Sequence, residues 1–193
     1  MNDIANSGPA ACAAGLDRRG FLKVGAGFSL ALTLAGTLPG CSDAAKAPAP
    51  GYAFLQTADV ELFGAIAPVV VTDLAALDRE ERDKRIREAL HNVDATCAAL
   101  DLGSRAELRK LLDLLAIGPL RYVLTGVASW SDASTETLTA FLARWRGSRF
   151  ATLNAGGIIL VKLVAASYYV IPATFASAGY PGPLEFVYVA VNG

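Results

Sequence analysis

His91 is the only histidine in the chain, so acid–base or nucleophilic chemistry would have to be built around it. A Ser-His-Asp triad would use this residue, but no G-x-S-x-G elbow accompanies it in the sequence. A metal site of mixed His and Cys ligands would need Cys97, which lies in the same predicted helix. His91 flanks the apolar seam of that helix, and we interpret it as a histidine at the solvent edge. An enzyme that acts through His91 is therefore the functional hypothesis that we rank last, after the two that are given below.

The acidic residues are scattered along the chain, and they predict helix caps or solvated surface groups rather than a catalytic pair. They include Asp59, Glu61, Asp73, Asp94, Asp113 and Asp132. The sequence also lacks a C-x-x-C-H motif, a cysteine cluster, a G-x-G-x-x-G turn and a phosphate loop. We therefore expect no catalytic, cofactor-binding or metal-binding residue on this chain.

A twin-arginine export signal is predicted near the N-terminus. Its motif consists of Arg18, Arg19, Phe21, Leu22 and Lys23. The apolar run that follows, residues 24–35, is too short to cross about 30 Å of hydrocarbon. Its two glycines reduce its hydrophobicity, which favours the twin-arginine route over the general secretory route. That route carries folded cargo, and the twin-arginine translocase is therefore a predicted partner during export.

The end of the signal resembles a lipoprotein cleavage site, Leu38-Pro39-Gly40-Cys41. Cleavage there would make Cys41 the lipidated N-terminus and hold the protein at a membrane face in the periplasm. The alternative is simple cleavage near residues 42–44, which would release a soluble periplasmic chain. We assign residues 1–40 to the signal, residues 41–53 to an Ala/Pro-rich tether and residues 54–193 to the folded domain.

The composition of the remaining chain limits its partners. After residue 40 there are 14 Lys and Arg against 16 Asp and Glu, a net charge of −2. This balance provides no basic excess for nucleic acid. Cys12 is removed with the signal and Cys41 is the lipidation candidate, which leaves Cys97 without a disulfide partner.

The hydrophobic periodicity predicts an all-α domain, an irregular bundle of about five helices with an extended C-terminal tail. The predicted helices start near Thr57, Arg79, Ser104, Ser134 and Arg149. Pro68 should kink or end the first, and Gly118-Pro119 marks a break after the third. The second carries a narrow apolar seam of Ile86, Leu90, Val93, Cys97 and Leu100.

Two segments near the C-terminus leave alternatives open. The last helix, to about Val170, is apolar nearly all round, and we favour a buried bundle helix over a surface that enters a membrane or a partner. Residues 184–191 are rich in β-branched and aromatic side chains. This tail would pack across the bundle or add a strand to another protein's sheet.

Four segments in a fixed order resemble the small twin-arginine-signal subunit of flavoprotein dehydrogenases of the glucose–methanol–choline type, as in gluconate 2-dehydrogenase subunit 3. The segments are Phe54-Leu55 through Ile66-Ala67-Pro68, Arg121 with Trp130, Phe141 through Ser148, and Tyr168-Tyr169 through Gly179-Tyr180-Pro181-Gly182-Pro183. The resemblance covers some 130 residues. It implies a helical protein that has no cofactor and co-exports a large FAD-carrying subunit, with a cytochrome c as a candidate electron acceptor.

The residue types that dominate interface energetics indicate where such a partner would bind. The predicted interface contains Trp130, Arg144, Trp145, Arg146, Tyr168, Tyr169, Gly179, Tyr180, Pro181, Gly182 and Pro183, with Arg149 of the same type. A core position is the competing interpretation, most of all for the two tryptophans. The second functional hypothesis is a free-standing helical envelope lipoprotein with a structural or binding role.

Overall fold

The computed structural model describes residues 47–182, and the described chain is all-α. Within these residues six α-helices form the bundle: α1 (Thr57–Val70), α2 (Arg79–Ala98), α3 (Leu102–Ala116), α4 (Gly118–Thr125), α5 (Thr135–Arg146) and α6 (Ala151–Tyr169). Two short 3₁₀ segments, Thr72–Ala76 and Pro172–Thr174, follow α1 and α6. The all-α prediction is confirmed. The structure has one helix more than the five predicted. This additional helix is α4, which begins where the sequence predicts only a break and has Pro119 in its first turn.

Local capping chemistry determines where the helices begin. Ser134, where the predicted fourth helix starts, caps α5, its hydroxyl accepting from the Thr137 amide, and Asp78 caps α2. The sequence predicts Ser104 as the cap of α3, but the cap is Asp101, whose carboxylate accepts the Ser104 amide at 3.0 Å. Pro68 does not end α1, which continues to Val70, since a proline in the last turn removes only one intrahelical hydrogen bond.

The core is continuous and contains the apolar faces that the sequence predicts. Leu90, Val93 and Cys97 of the α2 seam are buried, while Ile86 and Leu100 pack at its edge. Helix α6 crosses α1, α2 and α5. By length and composition alone it is apolar enough to span a membrane. One face of it, which includes Leu160, Val164 and Tyr168, lies in the core of the bundle.

Helices α5 and α6 approach closely because two glycines face a tryptophan. Trp145 on α5 is fully buried and lies against Gly156 and Gly157 of α6. A Cβ atom on either glycine would lie 2.9 Å from a Trp145 carbon, and one on Gly157 would also lie 3.1 Å from the Arg146 backbone nitrogen. Only glycine permits this approach without movement of α5.

Part of the predicted tether belongs to the folded domain. Ala49 is buried, and its amide donates to the Leu55 carbonyl at 2.7 Å. The Ala53 amide donates to the Asp94 carboxylate on α2 at 2.8 Å. The segment 47–53 is therefore packed on the bundle, and the signal residues and residues 41–46 lie outside the described part.

We expect Gly157→Ala to destabilise the protein by about 1–3 kcal/mol, because the new methyl group would overpack the α5–α6 contact. Gly64→Ala is the matched control, since a Cβ atom at this helical glycine meets nothing within 4 Å. Higher helix propensity should make the control neutral or about 0.5–1 kcal/mol more stable. Urea unfolding measures both free energies, and equal values for the two variants would contradict the close approach.

Candidate functional surfaces

The interface residues predicted from the sequence separate into a buried and an exposed group. Trp130, Trp145 and Tyr168 are buried, which is the core alternative that the sequence left open. The exposed group consists of Arg144, Arg146, Tyr169, Gly179, Tyr180 and Pro181. Pro183 lies outside the described residues, as do Arg18, Arg19, Phe21, Leu22, Lys23 and Cys41.

Trp145 is buried for a specific reason. Its ring packs edge-on against Phe141 with centroids 5.0 Å apart, and its indole nitrogen donates to the Leu124 carbonyl at 2.9 Å. Arg144 donates to the same carbonyl at 3.0 Å. This oxygen lies in the last turn of α4, where helix carbonyls lack intrahelical partners. The two donors therefore join the C-terminal end of α4 to the C-terminal end of α5.

That junction produces the first exposed surface, which we name the basic end. It consists of Tyr122, Val123, Arg144, Arg146, Arg149 and Phe150, all exposed. Phe150 is the N-cap residue of α6, and the Arg149 guanidinium lies over its ring, 5.3 Å from the centroid. In the described part of the chain, the three arginines form no ion pair with a carboxylate. The basic end thus combines exposed apolar side chains with uncompensated positive charge.

The second exposed surface lies at the other end of α6, and we name it the C-terminal surface. It consists of Tyr169, Val170, Tyr180 and Pro181. Tyr180 packs edge-on against Phe175, with ring centroids 5.0 Å apart, and its amide donates to the Phe175 carbonyl at 2.8 Å. Gly179 and Gly182 have φ values of 67° and 96°, so this turn uses the left-handed region that favours glycine.

Acidic and tyrosine side chains lie together beside the C-terminal surface. Ser177 donates a hydrogen bond to Asp73 at 2.7 Å and thereby ties the last turn to the 3₁₀ segment after α1. Burial raises the pKa of Tyr169 above its usual value, and the negative charge of Asp73 adds to the shift. Since α6 has 19 residues, the two exposed surfaces are separated by about 28 Å along it.

His91 is exposed on α2, in agreement with its predicted position at the solvent edge. Its ring stacks on Tyr52, with centroids 4.8 Å apart and planes 13° apart. It borders an open groove of about 610 Å³ that Arg85, Asn92 and Pro172 also line. Among residues 47–182, no group of three or more His, Cys, Asp or Glu side chains could hold a metal ion.

Asp59 and Asp94, predicted as helix caps or solvated surface groups, are both buried and hydrogen-bonded. The cap prediction holds for Asp59, whose carboxylate accepts the Gln56 amide at the start of α1 at 2.7 Å. Asp94 accepts the amides of Ala53, Phe54 and Leu55, each at 2.8 Å. Burial of Asp94 opposes ionisation, but these three donors hold the pKa of its carboxyl below the usual value. The Asp94 carboxylate therefore fixes the chain that enters α1 onto α2.

Asp59, fully buried, forms a bidentate ion pair with Arg109 of α3, with N–O distances of 2.6 and 2.8 Å. Arg109 also donates to Asp113 at 2.7 Å and lies 5.5 Å from the centroid of Phe54. Burial of the guanidinium opposes its charge, but Asp59 and Asp113 raise the pKa of Arg109. The partners are 50 residues apart in sequence, so no local pattern signals the pair.

Cys97 lies near both aspartates and is fully buried. Burial raises the pKa of its thiol to about 12, and the charges of Asp94 and Asp59 add to the shift. The thiol is therefore protonated at neutral pH, which fits a structural role in the α2 seam.

No family model, curated protein or solved structure matches the chain.

Replacing Asp59 by Asn should cost about 3–5 kcal/mol of folding free energy, because the buried Arg109 guanidinium would lose its charged partner. Asp113→Asn is the matched control on the same arginine. Its carboxylate is 37% exposed, so its loss should cost less than about 1 kcal/mol. Chemical denaturation distinguishes the two variants, and equal costs would show that the Asp59 pair contributes no more than a surface pair.

The Asp94 hydrogen bonds should make stability depend on pH. Because the folded pKa is lowered, the stabilisation is present above the unfolded pKa of about 3.9 and is lost as the pH falls through the folded value. Asp94→Asn should cost about 2–3 kcal/mol at neutral pH. The difference between wild type and variant should shrink on acidification. A difference that stays constant in acid would contradict this assignment.

Proposed function

We propose that this chain is a non-catalytic accessory and export subunit of a periplasmic FAD-dependent dehydrogenase of the glucose–methanol–choline type. In this proposal the flavin belongs to the large partner subunit, and the twin-arginine signal of the small chain exports both. The pair would oxidise an alcohol or a sugar and pass electrons to an acceptor such as a cytochrome c. This chain would contribute binding surface and the export address.

The observation that carries the proposal is the C-terminal surface. Tyr169, Val170 and Tyr180 are exposed by 37%, 59% and 47%. Tyr169 and Val170 lie at the C-terminal end of α6, and the Tyr180 backbone is held by its hydrogen bond to the Phe175 carbonyl. Fixed, exposed aromatic side chains lose little conformational entropy on binding, which is why tyrosine is common in binding surfaces. Two exposed surfaces on one small domain also agree better with an assembled subunit than with an isolated chain.

The chemistry-bearing side chains of the described region have structural partners. Asp59 and Asp94 hold the N-terminal segment, and Cys97 is protonated in the core. His91 stacks on Tyr52, at the rim of a groove open to solvent. These contacts favour a subunit that binds over one that catalyses.

The test is to purify the C-terminally tagged chain from the envelope fraction of its native host. We expect a larger chain at equal stoichiometry with the absorption spectrum of bound flavin. The double variant Val170→Ser/Tyr180→Ser should lose most of this partner, because it removes the exposed apolar area of the C-terminal surface. Leu102→Ser is the matched control, since Leu102 is 81% exposed but lies at the start of α3.

A colourless, solitary wild-type chain recovered under mild detergent would contradict the proposal and favour the free-standing envelope lipoprotein. Equal flavoprotein recovery with the wild type and the double variant would instead show that the partner binds elsewhere than at the C-terminal surface. A His91→Ala chain with altered oxidation activity in an otherwise intact complex would support an enzymatic role for this chain.

A further inference from the structure

The basic end is a feature separate from the C-terminal surface. It lies at the start of α6, about 28 Å from Tyr169 along the helix. Its apolar side chains are prominent: Tyr122 is 60% exposed, Val123 79% and Phe150 60%. Exposed apolar side chains grouped in this way mark a site of interaction with a protein or a membrane.

The charge of this region has one sign. The sequence contains no Asp or Glu from Leu114 to Ser131 or from Thr137 to Gly182. These two stretches include α4 and α6, most of α5, and every residue of the basic end. They carry Arg121, Arg144, Arg146, Arg149 and Lys162. The ion pairs of the described residues involve α1, α2 and α3 instead. The surface that complements the basic end is therefore anionic.

We infer that the basic end binds the surface of an anionic lipid membrane. Its arginines would contact lipid phosphates, and Tyr122, Val123 and Phe150 would enter the boundary between headgroups and acyl chains. Arginine with aromatic side chains is the combination found where proteins lie on membranes, with the rings at headgroup depth.

The arrangement of the basic end favours a membrane over an acidic protein. Protein hot spots cluster at the centre of an interface and are surrounded by a rim that excludes water. Here Val123 and Phe150 are exposed at two separate helix ends, and the Arg149 guanidinium lies over the Phe150 ring. Exposed apolar side chains interspersed with unpaired cations suit a soft anionic surface.

The backbone contacts hold this surface in place. Arg144 and Trp145 both donate to the Leu124 carbonyl, and Asn154 donates to the Arg146 carbonyl. The junction therefore presents the α4 end and the α5–α6 connection together. Unlike the Arg144 guanidinium, those of Arg146 and Arg149 donate no hydrogen bond to another described residue. They are therefore available to bind phosphate.

The test is vesicle co-sedimentation of the full chain, with Cys41→Ser in every sample so that lipidation contributes nothing. The probes are vesicles of phosphatidylcholine alone and of phosphatidylcholine with phosphatidylglycerol. We expect phosphatidylglycerol to increase binding, and raised salt to weaken that increase. Each arginine at the surface contributes about fivefold. Arg146→Glu/Arg149→Glu should therefore lower the partition coefficient by more than about tenfold.

Arg79→Glu/Arg87→Glu is the charge control, because it changes the net charge equally on exposed positions of α2. Val123→Ser/Phe150→Ser tests the apolar contribution against Leu102→Ser, and circular dichroism confirms that each variant is folded. Any binding by the N-terminal apolar segment is common to all samples. Equal loss in the two charge variants, or binding that ignores phosphatidylglycerol, would overturn the inference.

One further outcome would overturn the inference in favour of a protein. If Arg146→Glu/Arg149→Glu removes a stoichiometric protein from the envelope complex and leaves vesicle binding unchanged, the basic end is a protein interface. Loss of vesicle binding with the flavoprotein retained would support the membrane contact. That result would not test the accessory-subunit proposal, which depends on the purification of the tagged chain.

Discussion

The close approach of α5 and α6 is the constraint on which the two exposed surfaces depend. Trp145 fits against Gly156 and Gly157 because these glycines have no side chain, and its indole nitrogen reaches the end of α4. The crossing therefore places α4, the end of α5 and the start of α6 at one place. The far end of α6 is left to carry Tyr169 and the C-terminal turn.

A second set of interactions holds the N-terminal part of the domain on this frame. Asp94 fixes residues 53–55 on α2, and the Asp59–Arg109 pair fixes α1 on α3. Buried charges are costly unless each is fully paired, and here the carboxylates accept several donors each. Polar groups that could have suggested a catalytic site thus serve to order the chain between the predicted signal and the bundle.

Much of the fold could be predicted from the sequence because its signals are local. The apolar seam of α2 and the helix start near Ser134 depend on neighbours within one or two turns, and the structure confirms both. The features that the sequence did not predict depend on contacts between residues that are distant in the chain. Asp59 meets an arginine 50 residues away, and Trp145 is buried because of glycines on another helix. No periodicity in a single segment distinguishes such a residue from an exposed one.

The candidate surfaces were partly predictable for the same reason. Arginine and tyrosine indicated interface chemistry, but only the packing separates Trp130 and Tyr168, which are buried, from Arg146 and Tyr180, which are exposed. Packing also assigns the exposed residues to opposite ends of α6. The proposed arrangement is a subunit that holds an enzyme at one end and a membrane at the other.

The most direct test of this arrangement is site-specific photocrosslinking in the native host, with a photoreactive residue at Tyr180 or at Phe150. If an enzyme binds at one end of α6 and a membrane at the other, position 180 should give an adduct with a large flavin-carrying subunit. Position 150 should give lipid adducts. A flavoprotein adduct from position 150 and none from position 180 would contradict this arrangement.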